Sequence, residues 1–222
     1  MGPASRRLRV VVTRPAEQAG ELAQRIEALG HAAVLCPLIE IEPVGPEAVD
    51  TSGYDWVVVT SPRAARELAG RRGGELPAVA AIGPGTAAAL RERGIEPALV
   101  PGVSTQEGLV AELPRPPGRV LFAGAERARR HLVDELAADF VPLYRTRLLR
   151  PDPPPEGDVV VLASSSAAEA AGALGLEAPA VSIGPETTRA AGAAGIRVIA
   201  EAETHDLEGL VAAVAQAAQT AV

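Results

Sequence analysis

A five-residue segment that occurs twice sets the strongest limit on how this chain can fold. The segment from Ile82 to Thr86 reads Ile-Gly-Pro-Gly-Thr, and the segment from Ile183 to Thr187 reads Ile-Gly-Pro-Glu-Thr. Each copy follows a short apolar run and precedes an alanine-rich stretch that stops at a glycine, which is the pattern of a strand, a tight turn and a helix. Proline suits the first turn of a helix, where its missing N–H is not needed. A repeat separated by about one hundred residues indicates two small domains rather than a solenoid.

Strand and helix patterns alternate along the rest of the chain, which predicts parallel, doubly wound α/β sheets. Residues 1–36 supply two strands without a closing partner, and residues 156–222 supply three. Joined, they form one discontinuous outer domain, into which residues 46–140 are inserted as a second α/β domain. Segments 37–45 and 141–155 are extended and rich in proline, so we predict that they pair as a two-strand antiparallel linker. A cleft between domains connected in this way can open and close.

Composition restricts the classes of function. Aromatic residues make up 2% of the chain and its net charge is −7, so we expect no nucleic-acid partner. No lysine is present, which excludes Schiff-base chemistry and a phosphate-loop lysine. Apolar runs are too short for a membrane span or a signal peptide, and we therefore expect a cytoplasmic protein with no membrane partner. The single Cys36 lies in an apolar run, where we expect it to pack inertly.

Hydroxyl side chains are concentrated in the turns that follow the predicted strands. The carboxyl ends of parallel strands share one edge of a sheet, and ligands bind at that edge. Helix capping accounts for any one hydroxyl, but eight at one edge, backed by the free N–H groups of helix starts, favour a ligand rich in carboxylates or phosphates. The eight residues are Thr13, Thr60, Ser61, Thr86, Ser164, Ser165, Ser166 and Thr187.

The usual catalytic groups are missing from these turns. None of His31, His131 and His205 falls in a strand-end turn, and no set of Cys and His residues has the spacing of a zinc site. The glycines of the first repeat lack the spacing of a dinucleotide-binding loop. We therefore expect no metal and no organic cofactor, and a pocket that binds, orients and stabilises charge.

Six motifs, taken in their order, resemble those of the uroporphyrinogen-III synthase family over nearly the whole chain. They are Thr13-Arg14-Pro15, the Ile39-Glu40-Ile41 linker, Val59-Thr60-Ser61-Pro62-Arg63-Ala64, the two Ile-Gly-Pro segments and Leu143-Tyr144-Arg145-Thr146.

The resemblance implies two flavodoxin-like domains and a cofactor-free enzyme that acts on a linear tetrapyrrole. Such an enzyme cyclises hydroxymethylbilane, which carries eight carboxylates, to uroporphyrinogen III, losing water and inverting the last pyrrole ring. A cationic azafulvene and a spiro intermediate are implied. Tyr144 matches the family's linker tyrosine and is expected to assist departure of the hydroxyl group. Arg14 and Arg63 are expected to contribute positive charge in the cleft, and Thr187, rather than Glu186, is carried over from the second repeat.

Two other classes of protein remain compatible with the residues, and we expect a monomer in each case. A non-enzymatic, cytoplasmic two-domain solute-binding module for a polycarboxylate or phosphorylated ligand would share the hinge and the helix-end donors. A sugar-nucleotide transferase would also have two such domains, but it usually needs a carboxylate or a base in the cleft, and the sequence offers none that is well placed.

Overall fold

The computed structural model describes residues 6–220, which divide into two compact units. The first unit comprises the chain up to Ile41 together with the chain from Thr146 on, and the second unit runs from Glu42 to Arg145. Each unit has its own five-stranded sheet. Both divisions fall within the segments predicted as linkers, 37–45 and 141–155. Within residues 6–220, no helix combines the length and the apolar character needed to cross a bilayer.

Strands and helices alternate along most of the described chain. In chain order the elements are β1 (Arg9–Val12), α1 (Ala16–Ala28), β2 (Ala32–Leu35), β3 (Ile39–Pro43), β4 (Trp56–Val59), α2 (Pro62–Arg71), β5 (Ala78–Ala81), α3 (Pro84–Arg91), α4 (Gln106–Glu112), β6 (Val120–Ala125), α5 (His131–Leu136), β7 (Asp139–Leu148), β8 (Val159–Leu162), α6 (Ser165–Ala173), β9 (Ala180–Ser182), α7 (Pro185–Ala193), β10 (Val198–Glu201) and α8 (Leu207–Thr220).

The sheet of the first unit has the strand order β10-β9-β8-β1-β2, and all its strands run parallel. Both faces are covered, which is why its strands are apolar throughout rather than alternating. Val10 and Val12 pack in one buried cluster with Leu22 of α1, whereas Val11 packs in another with Ala168 of α6. The core is therefore made of small aliphatic side chains on both sides of the sheet.

The sheet of the second unit has the order β3-β7-β6-β4-β5, in which β4, β5, β6 and β7 run parallel. Val57 and Val59 contribute to the cluster on one face, and Val58 contributes to the cluster on the other. Phe122 and Phe140 meet edge to face on that second side, with their ring centroids 5.2 Å apart. β7 is thus a full strand of this sheet as well as a continuation of the chain into the first unit.

The two sheets repeat one arrangement, which accounts for the repeated sequence segment. Leu99 bridges to Ala80 of β5, so it takes the edge position in the second unit that β10 takes in the first. Counted in this way, β4, β5, Leu99, β6 and β7 correspond to β8, β9, β10, β1 and β2. The chain of the first unit begins with the strands that correspond to the last two of the second unit. That offset explains why residues 1–36 supply two strands and the C-terminal part supplies three.

β3 lies beside β7 where the chain passes from one unit to the other. In the second unit the N–H of Val44 donates to the carbonyl of Leu143 at 3.0 Å. In the first unit the N–H of Leu149 donates to the carbonyl of Leu38 at 2.8 Å. Gly45 has a φ of +78°, and a Cβ there would lie 2.1 Å from the carbonyl oxygen of Pro142. Only glycine fits this crossing, for both reasons.

Two local predictions from sequence differ from the structure. In the sequence, Ser104 with Glu107 three residues later predicts a capping box at the start of α4. In the structure Thr105 is the cap and accepts from the N–H of Gly108 at 3.1 Å. Glu107 instead makes two hydrogen bonds of 2.7 Å to the guanidinium of Arg129, which lowers the pKa of Glu107 to about 2. A long-range ion pair has therefore replaced the local capping box.

The second difference is the start of α5. The sequence from Glu126 to Leu136 predicts one helix, but α5 begins at His131. The preceding residues are held in turns by distant groups: the N–H of Glu126 donates to the carbonyl of Tyr144 at 2.8 Å, and the guanidinium of Arg130 lies 3.6 Å from the ring centroid of Phe140. These contacts outweigh the weak helix propensity of a short segment.

Candidate functional site

Each unit presents the carboxyl ends of its parallel strands, and the predicted site residues lie there in two separate groups. The first unit holds Thr13, Arg14, Ser164, Ser165 and Thr187, which follow β1, β8 and β9. The second unit holds Thr60, Ser61, Arg63, Thr86 and Tyr144, which follow β4 and β5 or lie in β7.

Thr86 and Thr187 occupy the same place in the two units, in the first turns of α3 and α7. Their side chains are 3% and 4% exposed. Neither hydroxyl has a hydrogen-bond partner among residues 6–220, yet neither oxygen is completely enclosed. Both helices begin after a glycine that provides no side-chain cap. Each helix start therefore combines free N–H groups, the positive end of the helix dipole and an unused hydroxyl, which together suit a carboxylate.

An acidic residue in the first turn of α7 does not cancel this property. Glu186 is exposed and is bound by the guanidinium of Arg189 at 2.6 and 2.7 Å. This ion pair lowers the pKa of Glu186, so the carboxylate is charged but compensated by Arg189. The N-terminus of α7 remains suited to an anion.

The first glycine of each repeat is needed because another side chain lies against it, and not because its backbone conformation is unusual. Gly83 and Gly184 are both extended, with φ values of −176° and 165°. A Cβ on Gly83 would lie 2.5 Å from the hydroxyl oxygen of Ser104, and a Cβ on Gly184 would lie 2.8 Å from Nε2 of His205. The predicted tight turn is present in both units, with two residues between each strand and its helix, and its glycine leaves room for a polar side chain beside the helix start.

Ser61 and Tyr144 form a pair of hydroxyl groups in the second unit. Their oxygens are 3.0 Å apart, and Ser61 also accepts from the N–H of Ala64 at the start of α2. In a regular strand neighbouring side chains point to opposite faces, so the sequence predicts that Tyr144 faces away from Leu143. The register of β7 against β6 shifts between Gly124 and Ala125, and both Leu143 and Tyr144 pack against the same apolar cluster. Such an irregularity re-aims a side chain, and here it brings the phenol to Ser61.

The remaining serines and threonines have mixed roles. Ser164 caps α6 by accepting from the N–H of Ala167 at 3.2 Å, as Ser61 does in the second unit. Ser165 makes a long bond of 3.4 Å to the carbonyl of Glu186. Thr60 is half-buried, and its hydroxyl has no hydrogen-bond partner within residues 6–220. Capping and ligand binding are compatible for Ser61 and Ser164, since a hydroxyl oxygen that accepts one bond can still donate its proton.

Two of the predicted binding residues are used elsewhere. Thr13 is completely buried, and its hydroxyl donates to the carbonyl of Val161 on the neighbouring strand at 2.6 Å, so it joins β1 to β8. Arg63 extends along α2 to form an ion pair of 2.7 Å with Glu67, one turn further from the sheet edge. The hydroxyl of Thr13 and the charge of Arg63 are thus already engaged within the chain, and the prediction that these two side chains bind substrate gains no support from these contacts.

Arg14 lies in a groove of about 520 Å³ within the first unit. Its guanidinium donates to the side-chain oxygen of Gln18 at 3.0 Å. Burial lowers the pKa of Arg14, and the charge of Glu21 opposes that effect only in part. His205 lines the same groove, although sequence reasoning assigned it no role. The repeat could have drawn attention to it. Gly184 follows Gly83 by 101 residues, and the same offset makes His205 the equivalent of Ser104.

Taken together, these features define an α/β protein with two sheets of parallel strands, each with a helix start that has no side-chain cap at the carboxyl end of its strands. The model of one protein family, uroporphyrinogen-III synthase HemD, matches residues 20–212, and the chain belongs to that family. A protein of Methanothermobacter thermautotrophicus, assigned provisionally as a uroporphyrinogen-III synthase, is 33% identical over 116 residues. That match covers 47% of this chain, and it spans about half, 46%, of the relative's length.

Solved structures share the fold at low sequence identity. A mutant uroporphyrinogen III synthase from Thermus thermophilus is 20% identical, with a TM-score of 0.68 over 96% of this chain and 99% of that one. Uroporphyrinogen-III synthetase from Helicobacter pylori is 17% identical, with a TM-score of 0.65 over 96% of this chain and 100% of that one. The mixed α/β architecture with parallel sheets is therefore common to all three proteins.

Proposed function

We propose that the protein is a uroporphyrinogen-III synthase of tetrapyrrole biosynthesis. It takes hydroxymethylbilane, removes water, inverts the last pyrrole ring and closes the macrocycle to uroporphyrinogen III. Membership of the family over residues 20–212 supports the reaction. The main structural support is the pair of threonine hydroxyls at the starts of α3 and α7. Neither has a protein hydrogen-bond partner in the described chain, so both can donate to carboxylates of the substrate.

The substrate's carboxylates are held by hydroxyl and N–H donors, because the protein is acidic overall. Thr86 and Thr187 are the principal donors, each beside the free N–H groups of a helix start. Thr60, Ser61, Ser164 and Ser165 add further hydroxyls, and Arg14 adds a positive charge. Fixing a flexible linear chain so that its ends can react supplies much of the rate enhancement, because orientation replaces a large entropic barrier.

Tyr144 is the general acid in this proposal. The C–O bond of the hydroxymethyl group breaks as the phenol proton moves to the departing oxygen, which leaves as water. The electron pairs of the pyrrole stabilise the resulting azafulvene cation. Attack by the substituted carbon of the last ring gives the spiro intermediate. The bond from the spiro carbon to its original methylene then breaks, and the free α-carbon of the same ring attacks that methylene, which inverts the ring. Loss of the proton from this α-carbon to the phenolate restores Tyr144. Ser61, 3.0 Å from the phenol, donates to the phenolate oxygen as it forms and limits its charge.

The finer architecture is also a proposal. We infer two flavodoxin-like, doubly wound domains, made of residues 1–36 with 156–222 and of residues 46–140, the second inserted in the first. Segments 37–45 and 141–155 join them as an antiparallel pair. Leu38 is bonded to Leu149 and Val44 to Leu143, so the residue numbers rise along one segment as they fall along the other, which supports antiparallel pairing. A cytoplasmic location and a monomeric state remain predictions from the sequence.

Turnover of the full chain tests the proposed function. Hydroxymethylbilane is supplied, the products are oxidised to porphyrins, and the isomers are separated. Type III should predominate, because spontaneous closure of the free substrate gives only type I. Exclusive formation of type I at the uncatalysed rate would contradict the proposal.

The carboxylate-binding role of the threonines predicts a loss of affinity. Thr86→Val and Thr187→Val should each weaken binding of substrate roughly tenfold, because a donor to a charged group is removed while the shape is kept. Binding is measured by KM and by titration with uroporphyrin III, which does not react. Thr13→Val is the matched control: its hydroxyl bonds to Val161, so it should lower stability by about 1 kcal/mol and leave affinity unchanged. Unaltered affinity in both Thr86 and Thr187 variants would remove the assigned role.

A further inference from the structure

The groove that contains Arg14 lies entirely within the first unit, between the start of α1 and the loop before α8. Its walls bring together two cationic groups, three acidic groups and an apolar side chain. The lining residues that bear on a ligand are Arg14, Glu17, Glu21, Ile183, His205 and Asp206.

The acidic side chains of this groove are already engaged. Glu21 accepts from Arg25 at 3.1 Å, and Glu17 also has an interaction of its own. Asp206 accepts from the hydroxyl of Thr204 at 2.9 Å and from the N–H of Gly209 at 2.8 Å, at the start of α8. These carboxylates are thus already engaged with protein groups, and the charge of Glu21 also acts on Arg14.

The two basic side chains of the groove, by contrast, have hydrogen-bond donors that no protein group in the described chain uses. Arg14 donates to the neutral oxygen of Gln18 and has no ion-pair partner within residues 6–220. Neither ring nitrogen of His205 has a hydrogen-bond partner among the same residues. Two donors that can carry positive charge therefore face one groove with unused hydrogen-bonding capacity.

His205 is also placed against the helix start described above. Its imidazole edge lies beside Gly184, which immediately precedes α7. The same helix start contains Thr187, whose side chain is 4% exposed and whose hydroxyl lacks a partner in the described chain. Ser104 has the corresponding place beside Gly83 in the second unit, where only a neutral donor is present.

We propose that Arg14 and His205 form a subsite that holds one carboxylate side chain of the substrate in the first unit. The assignment rests on the proposed function for the identity of the ligand. It makes His205 a binding and positioning residue that distinguishes the first unit from the second, where Ser104 offers a hydroxyl in place of an imidazole. Ile183 provides the apolar wall along which the methylene groups of an acetate or propionate side chain pack.

The test uses the full chain and titration with uroporphyrin III, a non-reacting octacarboxylate. His205→Ser copies the residue of the second unit, and Arg14→Gln removes the charge but keeps a donor. Each should weaken binding about tenfold, as expected for one charge-assisted hydrogen bond. The double variant should lose less than the product of the two single losses, because both residues hold one carboxylate. KM should rise in parallel, whereas kcat should change less than threefold, the range that a pure binding role allows.

Controls separate this subsite from general effects and from the proposed reaction. His131→Ser removes a histidine of the second unit and should leave binding unchanged, and melting curves verify that every variant is folded. Unchanged affinity in both His205→Ser and Arg14→Gln would overturn the subsite, as would losses that multiply fully in the double variant. If the wild type makes no type III product but binds the octacarboxylate through these residues, the proposed reaction fails and the subsite stands.

Discussion

Replacing Arg71 with methionine should lower the free energy of unfolding by about 2–4 kcal/mol, although the residue lies at the end of a surface helix. Arg71 is the last residue of α2, and its side chain is only 14% exposed. One guanidinium nitrogen donates to the carbonyl of Val44 at 2.6 Å, and the other donates to the carbonyl of Leu143. The side chain thereby fastens α2 to both chain segments that leave the second unit.

The size of the effect follows from what the substitution leaves behind. Methionine preserves most of the aliphatic stem, so little apolar burial is lost. Glu67, whose side chain is 16% exposed, loses its bonds to Arg71 and keeps only its ion pair of 2.7 Å with Arg63. The carbonyl of Val44 also loses its charged donor, whereas that of Leu143 keeps the bond from the N–H of Val44. Leaving such groups unpaired costs more than the net gain of an ordinary hydrogen bond.

Arg66→Met on the same helix is the matched control. Arg66 is 47% exposed and its nearest carboxylate oxygen, on Glu92, is 3.8 Å away, so its loss should change stability by less than about 0.5 kcal/mol. Both variants are compared by urea unfolding at constant protein concentration, with unchanged slopes as the criterion for a common unfolded state. Equal, small effects in Arg71→Met and Arg66→Met would show that the bonds of Arg71 to the two carbonyls contribute nothing to stability.

The repeated core was predictable because it depends on local patterns. Apolar runs of four to six residues, each followed by a helix pattern and a glycine stop, correctly indicated parallel strands with both faces covered. The two threonines could likewise be found from sequence, because their position after proline fixes them in the first turn of a helix. These features need no knowledge of distant contacts.

The features that the sequence did not predict depend on contacts between residues far apart in the chain. The hydrogen bond from Thr13 to Val161 joins residues 148 positions apart, and the sequence around Thr13 does not indicate it. The irregularity between Gly124 and Ala125 changes the direction of Tyr144 without any change in the alternating pattern of β7. Arg71 resembles any arginine near a helix C-terminus until its two carbonyl partners are known. Sequence reasoning fails at such positions because side-chain direction and pairing are set by the packed structure.

Tyr144→Phe should reduce turnover by roughly tenfold to a hundredfold, with little change in melting temperature. The phenol lies 3.0 Å from Ser61 and carries a proton that it can give to a departing hydroxide, and phenylalanine keeps the ring that packs against the apolar cluster. A general acid typically contributes 10²–10⁴-fold, and the lower end is expected because the hydroxymethylpyrrole ionises readily by itself. Since the loss arises in the chemical step, kcat should fall and KM should stay close to the wild-type value.

Tyr54→Phe is the matched control, because Tyr54 is the other tyrosine of the chain. Its hydroxyl donates to Asp139 at 2.9 Å, and its ring is covered by Arg119, with no contact to Ser61. The control should retain full turnover. Ser61→Ala should show a smaller loss than Tyr144→Phe, because in it the acid is retained and only the donor to the phenolate is gone. Full activity of Tyr144→Phe, with type III product, would assign the acid's role to water or to a backbone dipole that stabilises the leaving group, and Tyr144 would then be only part of the wall.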